Sequence, residues 1–209
     1  MKCWNCQAET HGRAFCPACG KILPRAPGAT HFDAFGLAPS FDVDLPALDK
    51  QFRELSLKLH PDRFAQADAR ERRLSLEQTT ALNEAYKVLK DPARRAFYLL
   101  ALRGVDLDRD EARENREMPA EFLEEVMELR EELAEARQRG DVAKAQKMGE
   151  DVRGRQQAAL KVAMAALGRG LGSGRGDPAV QEAAHQLARV RYFARFLEEV
   201  GAIEEEALA

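Results

Sequence analysis

Leu59-His60-Pro61-Asp62-Arg63-Phe64 is the stretch on which the reading of this chain turns. Upstream of it Leu45, Leu48, Phe52, Leu55 and Leu59 recur at helical steps, and downstream Leu82, Ala85, Tyr86 and Leu89 do the same. That spacing collects apolar side chains on one helix face. Pro61 has no N–H to give to a continuing helix and drives the residue before it out of the α region. The first helix must therefore end at His60. The two periodic segments then form an antiparallel pair, with an imidazole and a carboxylate exposed on a stiffened loop at its tip.

The approaching helix carries Lys50, Arg53 and Lys58, and Arg63 follows the tripeptide, so a basic face runs up to the loop. The later helix ends in Asn83-Glu84-Ala85-Tyr86-Lys87-Val88-Leu89-Lys90-Asp91-Pro92, followed by Arg94-Arg95-Ala96-Phe97-Tyr98. Any proline can end a helix, and the tripeptide alone carries little weight. In this context the arrangement resembles a J-domain. The resemblance implies that His60, Pro61 and Asp62, with Lys50, Arg53, Lys58 and Arg63, engage the ATPase module of a DnaK-type heat-shock chaperone.

With 209 residues the chain has room for one large domain or for two or three small ones. Its formal net charge of -3 argues against a nucleic-acid binder driven by bulk charge. No apolar run approaches the roughly 18 residues of a membrane span. Cys3 follows the first residue so closely that no signal or transit peptide is expected before it. The expected location is cytoplasmic, with no membrane partner. Strand signals are nearly absent beyond the first twenty-odd residues, whereas Ala, Leu, Glu, Arg and Gln dominate the rest. The expected fold class is mostly α: a small tetracysteine zinc knuckle or ribbon, a helical J-domain and a C-terminal three-helix bundle.

All four cysteines lie near the N-terminus, as Cys3-Trp4-Asn5-Cys6 and Cys16-Pro17-Ala18-Cys19-Gly20. Two facing C-x-x-C turns make a tetrahedral tetrathiolate site, which suits one structural zinc. Iron fits the same four sulfurs, and disulfides would form in an oxidising compartment. A redox motif is disfavoured because the βαβ setting is missing. His11 lies between the knuckles and reads as a surface residue, since four cysteines fill the shell. So small a segment cannot hold its shape alone, so metal binding and folding should be coupled. Whether this segment leaves the protein monomeric or dimerises it is open.

Composition and punctuation suggest a metal-binding segment at 1–24, a Pro/Gly linker at 25–31, a helical domain at 32–104, a second linker at 105–118 and a bundle at 119–209. Phe32, Phe35 and Leu37 should pack under the hairpin, and Gly104 should cap the segment's last helix. In the bundle, Phe122, Val126, Leu129, Leu133 and Ala136 form one seam, and Val180, Ala183, Leu187, Val190, Ala194 and Leu197 another. Leu123 and Met127 fall about 100° and 140° from Phe122, with Glu131 nearly opposite. Arg191, Tyr192 and Phe196 are likewise off their seam, and pattern alone leaves core and partner surface equally open. Gly149 and Gly154 put the continuity of the middle helix in question. The glycine-rich stretch 168–176 follows no strand and lacks a phosphate-binding spacing, so it reads as a connector.

Phe35-Gly36-Leu37, Leu82-Asn83-Glu84-Ala85-Tyr86, Gly104-Val105-Asp106-Leu107 and above all Glu128-Leu129-Arg130-Glu131-Glu132-Leu133 narrow the resemblance. Together with the His-Pro-Asp loop, they are similar to the iron–sulfur co-chaperone family HscB/Jac1. The Cys-Trp-x-Cys start resembles the N-terminal extension of its animal members. The resemblance implies a non-catalytic adaptor. One end stimulates an HscA-type ATPase; the other holds an IscU-type cluster scaffold through Leu123, Met127, Glu128 and Glu131 and through Arg191 and Tyr192. A general J-protein for unfolded clients is the nearest rival. An acid–base enzyme is disfavoured because no nucleophile or concave pocket adjoins His60 and Asp62 in the pattern.

Overall fold

A computed structural model describes residues 1–10, 12–107, 109, 118–169 and 174–208. The readings that concern His11, the second linker at 108 and 110–117, and the glycine-rich connector at 170–173 fall outside the described residues. The chain divides into two compact units, Met1–Arg95 and Ala96–Ala209, a division that falls inside a helix.

The first unit begins with two chain reversals, each closed by an isolated antiparallel bridge, Lys2 to Glu9 and Phe15 to Ile22. A short 3-10 turn at Asp33–Phe35 follows, ended by Gly36 at φ +65°, and it buries Phe32 and Phe35 while leaving Leu37 half-buried. Helix α1, Leu45–Leu59, starts where Asp44 accepts the Ala47 N–H at 3.1 Å, with proline in its first turn. Helix α2, Ala69–Lys90, starts in the same way on Asp68, which accepts the Glu71 N–H at 2.9 Å. Each such cap contributes about 1 kcal/mol by satisfying an orphan donor. Leu48, Leu59, Leu74, Leu82, Ala85 and Leu89 are buried, as the periodicity requires. Phe52 of α1 stacks on Tyr86 of α2 with centroids 3.9 Å apart, and the Tyr86 hydroxyl donates to Asp49 at 2.7 Å.

Helix α3, Pro92–Leu102, opens on Asp91, whose carboxylate accepts the Arg94 N–H at 2.8 Å. Gly104 closes it at φ +83°, a left-handed conformation that glycine adopts without a Cβ penalty. In the second unit Arg103 donates to the carbonyls of Leu99 and Leu167. The bundle consists of α4, Ala120–Gln138, α5, Val142–Arg169, and α6, Pro178–Leu208. Among the described residues this makes six α-helices, so the mostly α expectation holds. Helix α5 runs unbroken through Gly149 and Gly154, which resolves the question its glycines raised. At Gly149 the reason is packing: a methyl group there would come within 3.1 Å of Val200 Cγ1 on α6.

The seam of α4 is found as expected, with Phe122, Leu133 and Ala136 buried and Val126 and Leu129 half-buried against the same cluster. That of α6 departs from expectation beyond Val190. Phe193, Phe196, Val200 and Ile203 are buried there, whereas Ala194 and Leu197 are only half-buried. A seam with a mean step near 3.5 drifts around a 3.6-residue helix by about 20° per heptad. Over the 31 residues of α6 the buried stripe moves to its aromatic side chains, which have the most surface to remove from water.

Candidate functional site

The His-Pro-Asp loop is built by the end of α1. Leu59 is the last helical residue, and His60 turns to ψ 130° before a 3-10 turn over Pro61–Phe64. His60 Nδ1 accepts the Asp62 N–H at 3.3 Å and lies 3.5 Å from an Asp62 carboxylate oxygen. The imidazole is thereby used to fix the turn. Both side chains remain open to solvent, at 56% and 91% exposure. Lys50, Arg53, Lys58 and Arg63 are all exposed. Exposed charge of this kind on a stiff loop suits recognition by charge and shape.

Three residues here escaped the sequence reading. The Ser75 hydroxyl of α2, fully buried, donates to the Leu59 carbonyl at 2.6 Å, and Thr79 adds a second donation at 3.0 Å. These bonds satisfy a carbonyl orphaned by the helix end and fix the residue immediately before His60. A hydroxyl pair four apart in a helix was visible, but its target was not. Leu57 is 71% exposed and lies within about 40° of Lys50 and Arg53 around α1. Its departure from the seam of Leu48, Phe52, Leu55 and Leu59 was the available signal.

The two cysteine turns repeat each other almost atom for atom. Cys3 N–H donates to Ala8 O and Gln7 N–H to Cys3 O; thirteen residues on, Cys16 N–H donates to Lys21 O and Gly20 N–H to Cys16 O. Gln7 and Gly20 hold positive φ, 62° and 72°, at equivalent places. The glutamine accepts a strain of about 1–2 kcal/mol that the glycine avoids. All four sulfurs lie within 4.8 Å of one another, with Cys3 to Cys19 at 3.7 Å and Cys6 to Cys16 at 3.5 Å. A tetrahedron of sulfurs at ~2.3 Å from a central ion has edges of about 3.8 Å, so the donor set fits a metal.

Its electrostatics point the same way. The backbone N–H of Lys21 and the side chain of Asn5 pull the Cys19 thiol down to about 6. The Ala8 backbone pulls Cys6 down more than any single neighbour raises it, but Cys19, burial, Cys16 and Cys3 together push it up to about 12. Four crowded thiols cannot all ionise without a cation among them. Cys3 and Cys16 face inward onto Leu23, Trp4 and Ala8, while Cys6 and Cys19 face out.

In the bundle the six residues expected to form a scaffold-binding face receive different environments. Met127 is 62% exposed, and Glu128 and Glu131 are exposed on the same helix. Leu123 and Tyr192 are half-buried against one cluster, Tyr192 meeting Phe122 edge-on with centroids 5.7 Å apart. Arg191 donates to the Leu107 carbonyl at 2.7 Å. Phe196, left open by the pattern, belongs to the core.

Known proteins carry the same combination. Residues 30–98 match the DnaJ domain model, and residues 118–201 match that of the HSCB C-terminal oligomerisation domain. The co-chaperone protein HscB homolog of Ralstonia nicotianae is 41% identical over 158 residues, covering 76% of this chain and 86% of that protein. The crystal structure of human co-chaperone protein HscB superposes with a TM-score of 0.82 at 29% identity, over 98% of both chains. Chaperone HscB from Vibrio cholerae gives 0.69 at 32% identity, over 86% of this chain and 99% of its own. With its DnaJ-type hairpin, its HSCB-type bundle and its close relatives, the chain belongs to the HscB co-chaperone family.

Proposed function

We infer that this protein is a non-catalytic co-chaperone of iron–sulfur cluster biogenesis. The observation that carries the reading is the presence, in one chain, of a solvent-exposed His-Pro-Asp loop on a DnaJ-type hairpin and an HSCB-type bundle with an exposed methionine between acidic side chains. His60, Pro61 and Asp62, flanked by Lys50, Arg53, Lys58 and Arg63, meet the ATPase module of an HscA/DnaK-type chaperone. Basic side chains steer an acidic partner, and the stiff loop gives it a fixed target. Leu123, Met127, Glu128, Glu131 and Tyr192 hold an IscU-type scaffold, with Arg191 supporting them through Leu107.

No described helix is long and apolar enough to cross a membrane, in keeping with action in the cytoplasm. Co-recovery of an Hsp70-type chaperone and a cluster scaffold with the tagged full chain from its source cell is the expected result; recovery of unfolded clients without a scaffold would favour a general J-protein.

Zinc is the metal that Cys3, Cys6, Cys16 and Cys19 would hold, as a closed structural site with no open coordination position. Metal analysis should return about one zinc per chain, lost on Cys16→Ser. Visible absorbance from thiolate-bound iron would overturn the assignment.

A further inference from the structure

The first half of α2 has an unusual buried face. From Ala69 to Ala81 its buried residues are Glu71, Leu74, Ser75 and Gln78, three polar side chains to one leucine. Steps of four and three put the polar three on one stripe. Burying such groups is unfavourable unless each has a partner, and each has one. Lys21 Nζ donates to the Glu71 carboxylate at 2.6 Å, and Gln78 Nε2 donates to the Leu23 carbonyl at 2.6 Å. Ser75, between them, donates to the Leu59 carbonyl one residue before His60. So the stripe grips the cysteine knuckle at both ends and the base of the His-Pro-Asp loop in its middle. Two further contacts reinforce the grip: the Arg70 guanidinium lies 4.4 Å from the Trp4 ring centre, and Trp4 Nε1 donates to Ile22 O at 2.8 Å, tying the first cysteine turn to the segment that leaves the second.

We propose that the metal-loaded knuckle is an internal brace for α2, and that Lys21, Glu71 and Gln78 are positioning residues for the His60 loop. With little apolar burial of its own, this part of α2 depends on fixed partners at Lys21 and Leu23. Those partners stay fixed only while the four thiolates are held together. Loss of the metal frees them, and the Ser75 hold on Leu59 then sits on a helix with fewer restraints. The link from loop order to chaperone stimulation rests on the function proposed above; the link from knuckle to loop order does not.

The test is hydrogen exchange on the full zinc-loaded chain, read at the Arg63 and Ala65 amides, which donate to His60 O and Asp62 O. Lys21→Glu and Glu71→Lys should each speed exchange there about tenfold, the double swap should restore it, and the amides of α6 should not change. Gln78→Ala should act in the same direction should the charge variants fail to fold. Chelation should reproduce the effect, and zinc addition should reverse it. With the partner ATPase, each single variant should raise the concentration giving half-maximal stimulation severalfold while leaving the saturating rate intact. Wild-type exchange at Arg63 and Ala65 in the metal-free chain would overturn the proposal. Exchange that responds as expected in a protein that stimulates no ATPase would uphold the brace and remove the chaperone reading instead.

Discussion

The His-Pro-Asp tip and the outer side of α4 are both exposed, yet they are specified in opposite ways. At the tip, Pro61 ends α1 by local sterics, and the His60 imidazole bonds the Asp62 N–H two residues on. Neighbours in sequence shape the turn, and Ser75 and Thr79 of α2 anchor its base at the Leu59 carbonyl. On α4, Met127 is left exposed by the described residues, while Phe196 on α6, equally off its expected seam, is buried in the cluster with Phe122 and Phe193. A locally shaped turn needs only its base held from outside; a surface defined by what does not cover it is a property of the whole bundle.

Three substitutions sharpen that contrast. His60→Gln should abolish stimulation of the partner ATPase while leaving the circular dichroism and melting temperature unchanged; residual stimulation near wild type would show that the tip is not the contact. Phe196→Ala should destabilise the bundle by about 3–5 kcal/mol in denaturant unfolding, the usual cost of deleting a buried aromatic ring. Met127→Ala should alter stability by less than about 0.5 kcal/mol. By calorimetry the same change should weaken scaffold binding by about 2 kcal/mol, roughly thirtyfold, if the methionine anchors the interface. Unchanged affinity would reduce that face to ordinary solvated surface.

The legible parts of the sequence were those where one residue's chemistry dictates its surroundings. Pro61, Gly104 and the paired C-x-x-C turns all fall where local rules put them. The late course of α6 was less legible, because two equally apolar stripes run along it and the pattern does not say which one a neighbour will cover. Arg191 shows the same limit: its donation to Leu107 O joins residues 84 positions apart.

The sequence by itself determined the helical hairpin with its proline-broken tip, the tetrathiolate donor set and the family, because sterics, ligand type and phrase-level similarity act over short distances. Tertiary structure alone decided that Ser75 and Thr79 hold the Leu59 carbonyl, that Glu71 and Gln78 receive the knuckle, and that Phe196 is core while Met127 is surface. Burial is a relation between segments far apart in the chain. A polar residue in a helix states that it needs a partner, but only the folded neighbour says which one.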